Sequence, residues 1–157
     1  QNANGLKSKI SYFYLNALNG DFNIVCISGT WLDSSSFNLI KSDDKVGAIG
    51  LKKGGGVVVA VNSKFVVTSL DLSSLNSVNL IDIVGYKICL PQKTVYVFVV
   101  YIPPDLSVAD LESLLDLFEK ITSMASDVLT VGDFSAPKFC KGRNDSKTVL
   151  LNKFKAV

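Results

Sequence analysis

Two apolar runs joined by a short polar turn constrain the fold of this chain more than any other feature. Residues 80–90 and 94–101 are rich in Val, Ile and Tyr, and Pro91, Gln92 and Lys93 separate them. Runs of β-branched and aromatic residues bounded by a tight turn are typical of a β-hairpin. The sequence therefore predicts a sheet with antiparallel or mixed pairing rather than a purely parallel one.

Helices and further strands are predicted on both sides of this hairpin. Apolar residues recur at helical spacing over residues 7–18 and 108–124, and Ser107 with Asp110 resembles a helix-capping box. Short β-branched runs predict strands at residues 23–28, 57–61, 65–68 and 128–131. We assign no element to residues 41–53. This order predicts an α/β (α+β) layered sandwich with helices outside, in one domain that covers residues 1–157.

Composition excludes several classes of function. The chain has no histidine, which removes histidine-based triads, histidine general bases and histidine-ligated zinc. It has no run of about 20 apolar residues, so we expect no membrane span. The formal net charge of +2 provides no strong basic field, so charge alone does not predict nucleic-acid binding. Cys26, Cys89 and Cys140 are an odd number of cysteines at wide spacing. Cys26 and Cys89 lie in apolar runs, which indicates reduced, buried thiols in an intracellular protein, nuclear or cytoplasmic.

The segment of residues 128–137 combines an apolar run with a carboxylate. Gly132 and Asp133 follow the run directly, and Ser135 comes shortly after them. One interpretation is a buried strand that turns at Gly132 and carries Asp133 to the rim of a sheet, where catalytic groups are often found. The alternative is a strand followed by an ordinary Asx-type turn without a chemical role.

Five segments in a characteristic order resemble a known family. They are residues 2–6 (NANGL), 28–32 (SGTWL), 54–61 (GGGVVVAV), 101–104 (YIPP) and 132–135 (GDFS). Together they resemble the endonuclease domain of insect non-LTR (LINE-type) retrotransposons, and the resemblance covers essentially the whole chain. That domain belongs to the endonuclease/exonuclease/phosphatase superfamily, so the resemblance implies a DNase I-like, four-layer αββα sandwich.

The resemblance also implies a chemistry, the hydrolysis of a DNA phosphodiester with Mg²⁺. By position, Asn2 matches a residue near the metal, Tyr101 matches the tyrosine that contacts phosphate, and Asp133 matches the carboxylate that activates water. Hard cations prefer oxygen ligands, and a carboxylate can orient and deprotonate a water. Without a metal, Asn2 is equally explained as a turn residue and Tyr101 as a packed aromatic.

Three departures from the family pattern predict a degenerate site. Gly29 replaces the principal metal-binding Glu, Ser135 replaces a phosphate-binding Asn, and the terminal Ser-Asp-His of the family is absent. Loss of one such group typically lowers the rate by about 10²–10⁴. We therefore expect a catalytically weak or inactive domain that binds or assembles. The alternative is an active Mg²⁺-dependent DNA endonuclease that uses another carboxylate, such as Asp33 or Asp43.

Partners are predicted less directly. The lysine-rich segment after residue 137 is either a solvated surface or a stripe that binds the DNA backbone. Trp31 is expected to be a core or rim anchor, with a DNA-facing role as the alternative. Because the family's last strands follow the position of residue 157, we expect an incomplete sandwich with an open sheet edge. Such an edge favours a homo-oligomer or a protein partner.

Overall fold

The computed structural model describes residues 5–13, 22–32, 46–49, 55–72, 81–103 and 107–134. Its elements, in chain order, are a 3-10 helix at Lys7–Lys9, β1 at Ile24–Ser28, β2 at Val46–Ile49, β3 at Val57–Val61, β4 at Val66–Ser69, β5 at Asp82–Cys89, β6 at Thr94–Tyr101, helix α1 at Val108–Met124 and β7 at Val128–Asp133. Residues 10–13 continue from the 3-10 helix as α-helix.

The strands form two sheets. The first sheet has three strands in the order β1-β3-β2, and both pairs are antiparallel. The second has four strands in the order β4-β5-β6-β7. The pairs β4-β5 and β5-β6 are antiparallel and β6-β7 is parallel, so this sheet is mixed. The predicted hairpin is confirmed as β5 and β6, and mixed pairing is confirmed with it.

The two sheets pack face to face and each outer face is covered by helix. Alternate residues of β3 point to opposite sides, as the period of a strand requires. The inner layer contains Val57, Val59, Val61, Tyr86, Ile88, Val97 and Val99. The outer layer of the second sheet joins α1 through Phe98, Val100, Leu114, Leu117, Phe118 and Ile121. The outer layer of the first sheet joins the N-terminal helical segment through Ile27, Val58, Ile10 and Phe13. This order of layers is αββα, as predicted.

Helix α1 begins with the predicted capping box. The backbone N–H of Asp110 donates to the Ser107 hydroxyl at 3.1 Å, and the Ser107 N–H donates to the Asp110 carboxylate at 3.2 Å. Two backbone donors that have no partner within the helix are satisfied in this way. The helix then connects β6 to β7, which lets these two strands run parallel.

The interpretation of residues 128–137 needs two corrections. Gly132 does not make a turn, because it lies inside β7 opposite Val100. A Cβ at this position would collide with the Val100 carbonyl oxygen, so close backbone approach explains the glycine. The strand is also not buried: its residues are half-buried or exposed, with Leu129 46% exposed. The reason is that, among the described strands, β7 pairs with β6 alone and forms an edge.

Cys26 and Cys89 are free thiols and both are half-buried. Burial raises the pKa of the Cys26 thiol, which favours its protonated form. Cys140 lies outside the described residues.

In the part of the chain that is described, no helix combines the length and apolar character that a membrane span requires.

Candidate functional site

Three polar side chains form a row across one end of the second sheet. In the strand register Asp82 of β5 is the partner of Tyr101 of β6, and Tyr101 is the partner of Asp133 of β7. Tyr101 is the last residue of β6 and Asp133 the last of β7, whereas Asp82 is the first of the antiparallel β5. All three therefore lie at the same edge of the sheet. We call Asp82, Tyr101 and Asp133 the polar row.

Asp82 connects the polar row to a glycine loop in front of β3. It is 7% exposed, and its carboxylate accepts a hydrogen bond from the Gly56 N–H at 2.8 Å. A Cβ built on Gly55 would collide with the same carboxylate and would lie 3.1 Å from Cδ1 of Tyr101. Only glycine allows the loop to come this close to both side chains. The glycine loop, residues 55–56, thus forms one wall of the site.

The environment of Tyr101 keeps its phenol protonated. Burial raises the pKa of Tyr101, and the negative charges of Asp133 and then Asp82 raise it further. A protonated phenol can donate a hydrogen bond to an anionic oxygen such as that of a phosphate. The two carboxylates accept hydrogen bonds and would attract a cation.

Gly29 and Thr30 lie next to the glycine loop. Their segment is held by two backbone hydrogen bonds to the glycine loop, from the Thr30 N–H to the Gly56 oxygen at 3.2 Å and from the Trp31 N–H to the Gly55 oxygen at 2.9 Å. Gly29 is buried and has a φ of 64°, in the left-handed region that favours glycine. The Thr30 hydroxyl is fully buried and has no hydrogen-bond partner among the described residues.

Gly29 is the residue that the sequence resemblance matches to a metal-binding Glu. Within the described residues, no group of three His, Cys, Asp or Glu side chains is arranged to hold a metal ion. Mg²⁺ prefers octahedral oxygen coordination and usually takes several of its ligands from water. The two carboxylates of the polar row would therefore supply only part of the coordination shell of such an ion.

The structure brings together only some of the residues singled out from the sequence. Tyr101 and Asp133 are neighbours in the polar row. Asn2 and Ser135 lie outside the described residues, as do Asp33, Asp43 and the lysine-rich segment after residue 137. Asp82 was missed, although one signal was available: it is an acidic residue inside the apolar run of residues 80–90. Such a residue requires a buried partner.

Several solved structures share the fold. TDP2 from D. rerio, crystallised with a single-strand DNA product, has a TM-score of 0.59 and 11% identity and aligns over 93% of this chain and 57% of its own. A functionally unknown conserved protein from Enterococcus faecalis has a TM-score of 0.55 and 13% identity, covering 94% of this chain and 63% of its own. A truncated TDP2 from Caenorhabditis elegans has a TM-score of 0.53 and 12% identity, with 89% and 59% covered.

The chain spans about three fifths of the length of these structures. No protein-family model and no curated protein matches its sequence. At these low identities the likeness establishes the fold and nothing further. The chain has the DNase I-like fold, a mixed αββα sandwich.

Proposed function

We propose that this chain is a DNA-binding domain with weak or no hydrolytic activity, descended from a LINE-type retrotransposon endonuclease. The observation that carries the proposal is the conformation of Gly29. In the sequence resemblance Gly29 matches the family's metal-binding Glu, and its backbone is left-handed and buried next to the glycine loop. A Glu at this φ would be strained by about 1–2 kcal/mol, so the local backbone is adapted to glycine. Of the residues that the resemblance matches to phosphate contacts, Tyr101 is retained.

The proposed ligand is the phosphate backbone of DNA. The protonated hydroxyl of Tyr101 supplies a hydrogen-bond donor at the edge of the sheet. Asp133 beside it repels a phosphate unless a cation lies between them, so we expect divalent cations to strengthen binding. A DNA ligand has a precedent among proteins of this fold, since TDP2 from D. rerio crystallised with a single-strand DNA product. With DNA as its ligand, we expect the domain to act inside the cell, in the nucleus or the cytoplasm.

The second candidate is an active Mg²⁺-dependent DNA endonuclease. The observation in its favour is the polar row, because Asp82 and Asp133 are two carboxylates on either side of Tyr101. In this reading Asp133 accepts a proton from the attacking water, and Tyr101 donates to the phosphate oxygen on which charge develops. Asp82 already accepts the Gly56 N–H, which leaves it less free to serve the reaction.

A nicking and binding experiment separates the two candidates. The wild type, Asp133→Ala and Tyr101→Phe are each incubated with supercoiled plasmid in Mg²⁺ or Mn²⁺, and DNA binding is followed by fluorescence anisotropy. Asp116→Ala, on the exposed side of α1, is the matched control. We expect DNA binding by the wild type, weaker binding by Tyr101→Phe, and no more nicking than Asp133→Ala produces. Robust nicking by the wild type that Asp133→Ala abolishes would establish the endonuclease instead.

We also propose that the domain self-associates through β4. Within the described part of the chain β4 pairs on one side only, and all four of its residues are exposed. Val66 is 69% exposed, and an apolar edge strand is a template for pairing with another chain. Light scattering should give a mass that rises with concentration, and Val66→Lys should return it to that of one chain. A single-chain mass for the wild type at high concentration contradicts this.

A further inference from the structure

Trp31 exposes its indole to solvent between two buried neighbours. It is 49% exposed, whereas Thr30 and Leu32 are 0% and 2% exposed. A tryptophan carries a large apolar surface, so half of it in water is unfavourable unless the surface is used. The two neighbours anchor the backbone in the core, and the fold holds the indole outside it.

The backbone of Trp31 is fixed in an unusual conformation. Its φ is 51°, and among the described residues it is the only one other than glycine with a positive φ. This region is disfavoured for bulky side chains and persists where surrounding contacts enforce it, often at binding sites. Here the enforcing contact is the hydrogen bond from the Trp31 N–H to the Gly55 oxygen at 2.9 Å.

Part of the indole surface is supported from behind. A Cβ built on Gly5 would lie 3.6 Å from Cε3 of Trp31, an ordinary van der Waals contact. Gly5 is itself held, since its N–H donates to the Gly29 oxygen at 2.9 Å. The ring is therefore backed by the Gly5 backbone on one side, and about half of the residue is exposed to solvent. Little side-chain freedom remains to be lost when a flat ligand covers it.

Trp31 and the polar row are attached to the same glycine loop. Gly55 accepts the Trp31 N–H and approaches the ring of Tyr101, while the Gly56 N–H donates to Asp82. One loop thus joins the exposed aromatic ring to the proposed phosphate site. Sites that bind single-stranded nucleic acid combine the same two features: bases stack on aromatic side chains while the backbone is held electrostatically.

We propose that Trp31 stacks against an unpaired nucleobase of a DNA strand whose phosphate lies at the polar row. This inference rests on the proposed function, and it specifies the substrate class as single-stranded or locally unpaired DNA. Every base has a π-face, so the stacking does not depend on sequence. In a duplex the bases are stacked on one another and their faces are covered. The exposed indole of Trp31 therefore favours strands with unpaired bases.

The experiment compares a short oligothymidine strand with a strand of the same length made of abasic sites. Phosphate contacts act on both strands, whereas stacking acts only on the strand with bases. The chain has one tryptophan, so fluorescence excited at the red edge of the indole band, where tyrosine does not absorb, reports on Trp31 alone. Binding by the variants that lack tryptophan is followed by the fluorescence anisotropy of a labelled strand. The variants are Trp31→Ala and Trp31→Gly, the second of which suits the positive φ. Phe22→Ala is the matched control, an exposed aromatic ring at the opposite end of β1.

We expect oligothymidine to quench the wild-type fluorescence and to bind about 5- to 100-fold more tightly than the abasic strand. Both Trp31 variants should bind the two strands equally, and Phe22→Ala should keep the wild-type difference. Equal binding of both strands by the wild type, without quenching, overturns the stacking role and leaves the proposed function standing. If neither strand binds, both proposals fail. Circular dichroism checks that each variant is folded.

Discussion

The carboxylate of Asp82 accepts a hydrogen bond from the Gly56 N–H at 2.8 Å, and this contact joins the two sheets of the sandwich. Asp82 is the first residue of β5 in the second sheet, while Gly56 immediately precedes β3 in the first. The bond is buried, so neither group has water as an alternative partner. It fixes the glycine loop against the polar row, and through the loop it positions Trp31.

Removing this carboxylate should destabilise the fold. Asp82→Ala leaves the buried Gly56 N–H without its acceptor, which costs about 1–3 kcal/mol. Urea denaturation should show the loss as a lower midpoint with an unchanged slope. Asp82→Asn keeps an acceptor oxygen and should lose less. Equal stability of the wild type and Asp82→Ala would mean that the loop does not depend on this bond.

The close pairing of β6 and β7 makes Gly132 sensitive to any side chain. Gly132→Ala places a methyl group against the Val100 carbonyl oxygen, and we expect a loss of about 1–3 kcal/mol from forced backbone shifts. Thermal unfolding of the wild type and of Gly132→Ala measures this loss of stability. Leu129→Ala in the same strand is the control, because Leu129 is largely exposed and should change stability by about 0.5 kcal/mol or less. A tolerated alanine at 132 would contradict the close approach of the two strands.

The capping box at the start of α1 should contribute measurably to stability. Ser107→Ala removes the oxygen that accepts the Asp110 N–H, at an expected cost of about 1 kcal/mol. Chemical denaturation compares it with Ser123→Ala, near the other end of the helix, whose hydroxyl donates to the Lys120 carbonyl. In the Ser123→Ala variant the Lys120 carbonyl still accepts a backbone N–H of the helix. Ser123→Ala should therefore have the smaller effect on stability. A reversed order would contradict the capping role.

The alkaline titration of Tyr101 should respond to its two acidic neighbours. Burial comes first in raising its pKa above the ordinary value near 10, followed by the charges of Asp133 and Asp82. Ultraviolet absorbance of the phenolate, assigned with Tyr101→Phe, should show the midpoint move down in Asp133→Asn and by less in Asp82→Asn. An unchanged midpoint in both variants would contradict the claim that the charges of Asp133 and Asp82 raise the pKa of Tyr101.

The same shift predicts the alkaline limit of stability. The folded state holds the Tyr101 proton more tightly than the unfolded state, so its contribution is intact below the unfolded pKa and is lost as pH rises through the folded pKa. Burial also raises the pKa of Tyr86, which acts in the same direction. The free energy of unfolding should therefore fall above about pH 10, and Tyr101→Phe should reduce the slope.

Local patterns were sufficient to predict most of the elements. The hairpin of β5 and β6, the strands β1 and β3 and the helix with its Ser107 cap all follow from side-chain period, turn residues and capping chemistry, which act over a few residues. Strand β2 at Val46–Ile49 was not predicted, because Gly47 and its polar surroundings carry no strand signal. Its pairing with β3 is a tertiary contact.

The sequence pattern by itself predicted a layered α/β sandwich with helices outside, and the resemblance implied the αββα order and pointed to Tyr101 and Asp133. Only the tertiary structure decided that Asp82 joins them, since that depends on the antiparallel register of β5 with β6 and the parallel register of β6 with β7. It also decided that Gly132 is a point of close contact instead of a turn, and that the indole of Trp31 lies outside the core. Period and propensity act along the chain, whereas register and backbone approach depend on segments far apart in sequence.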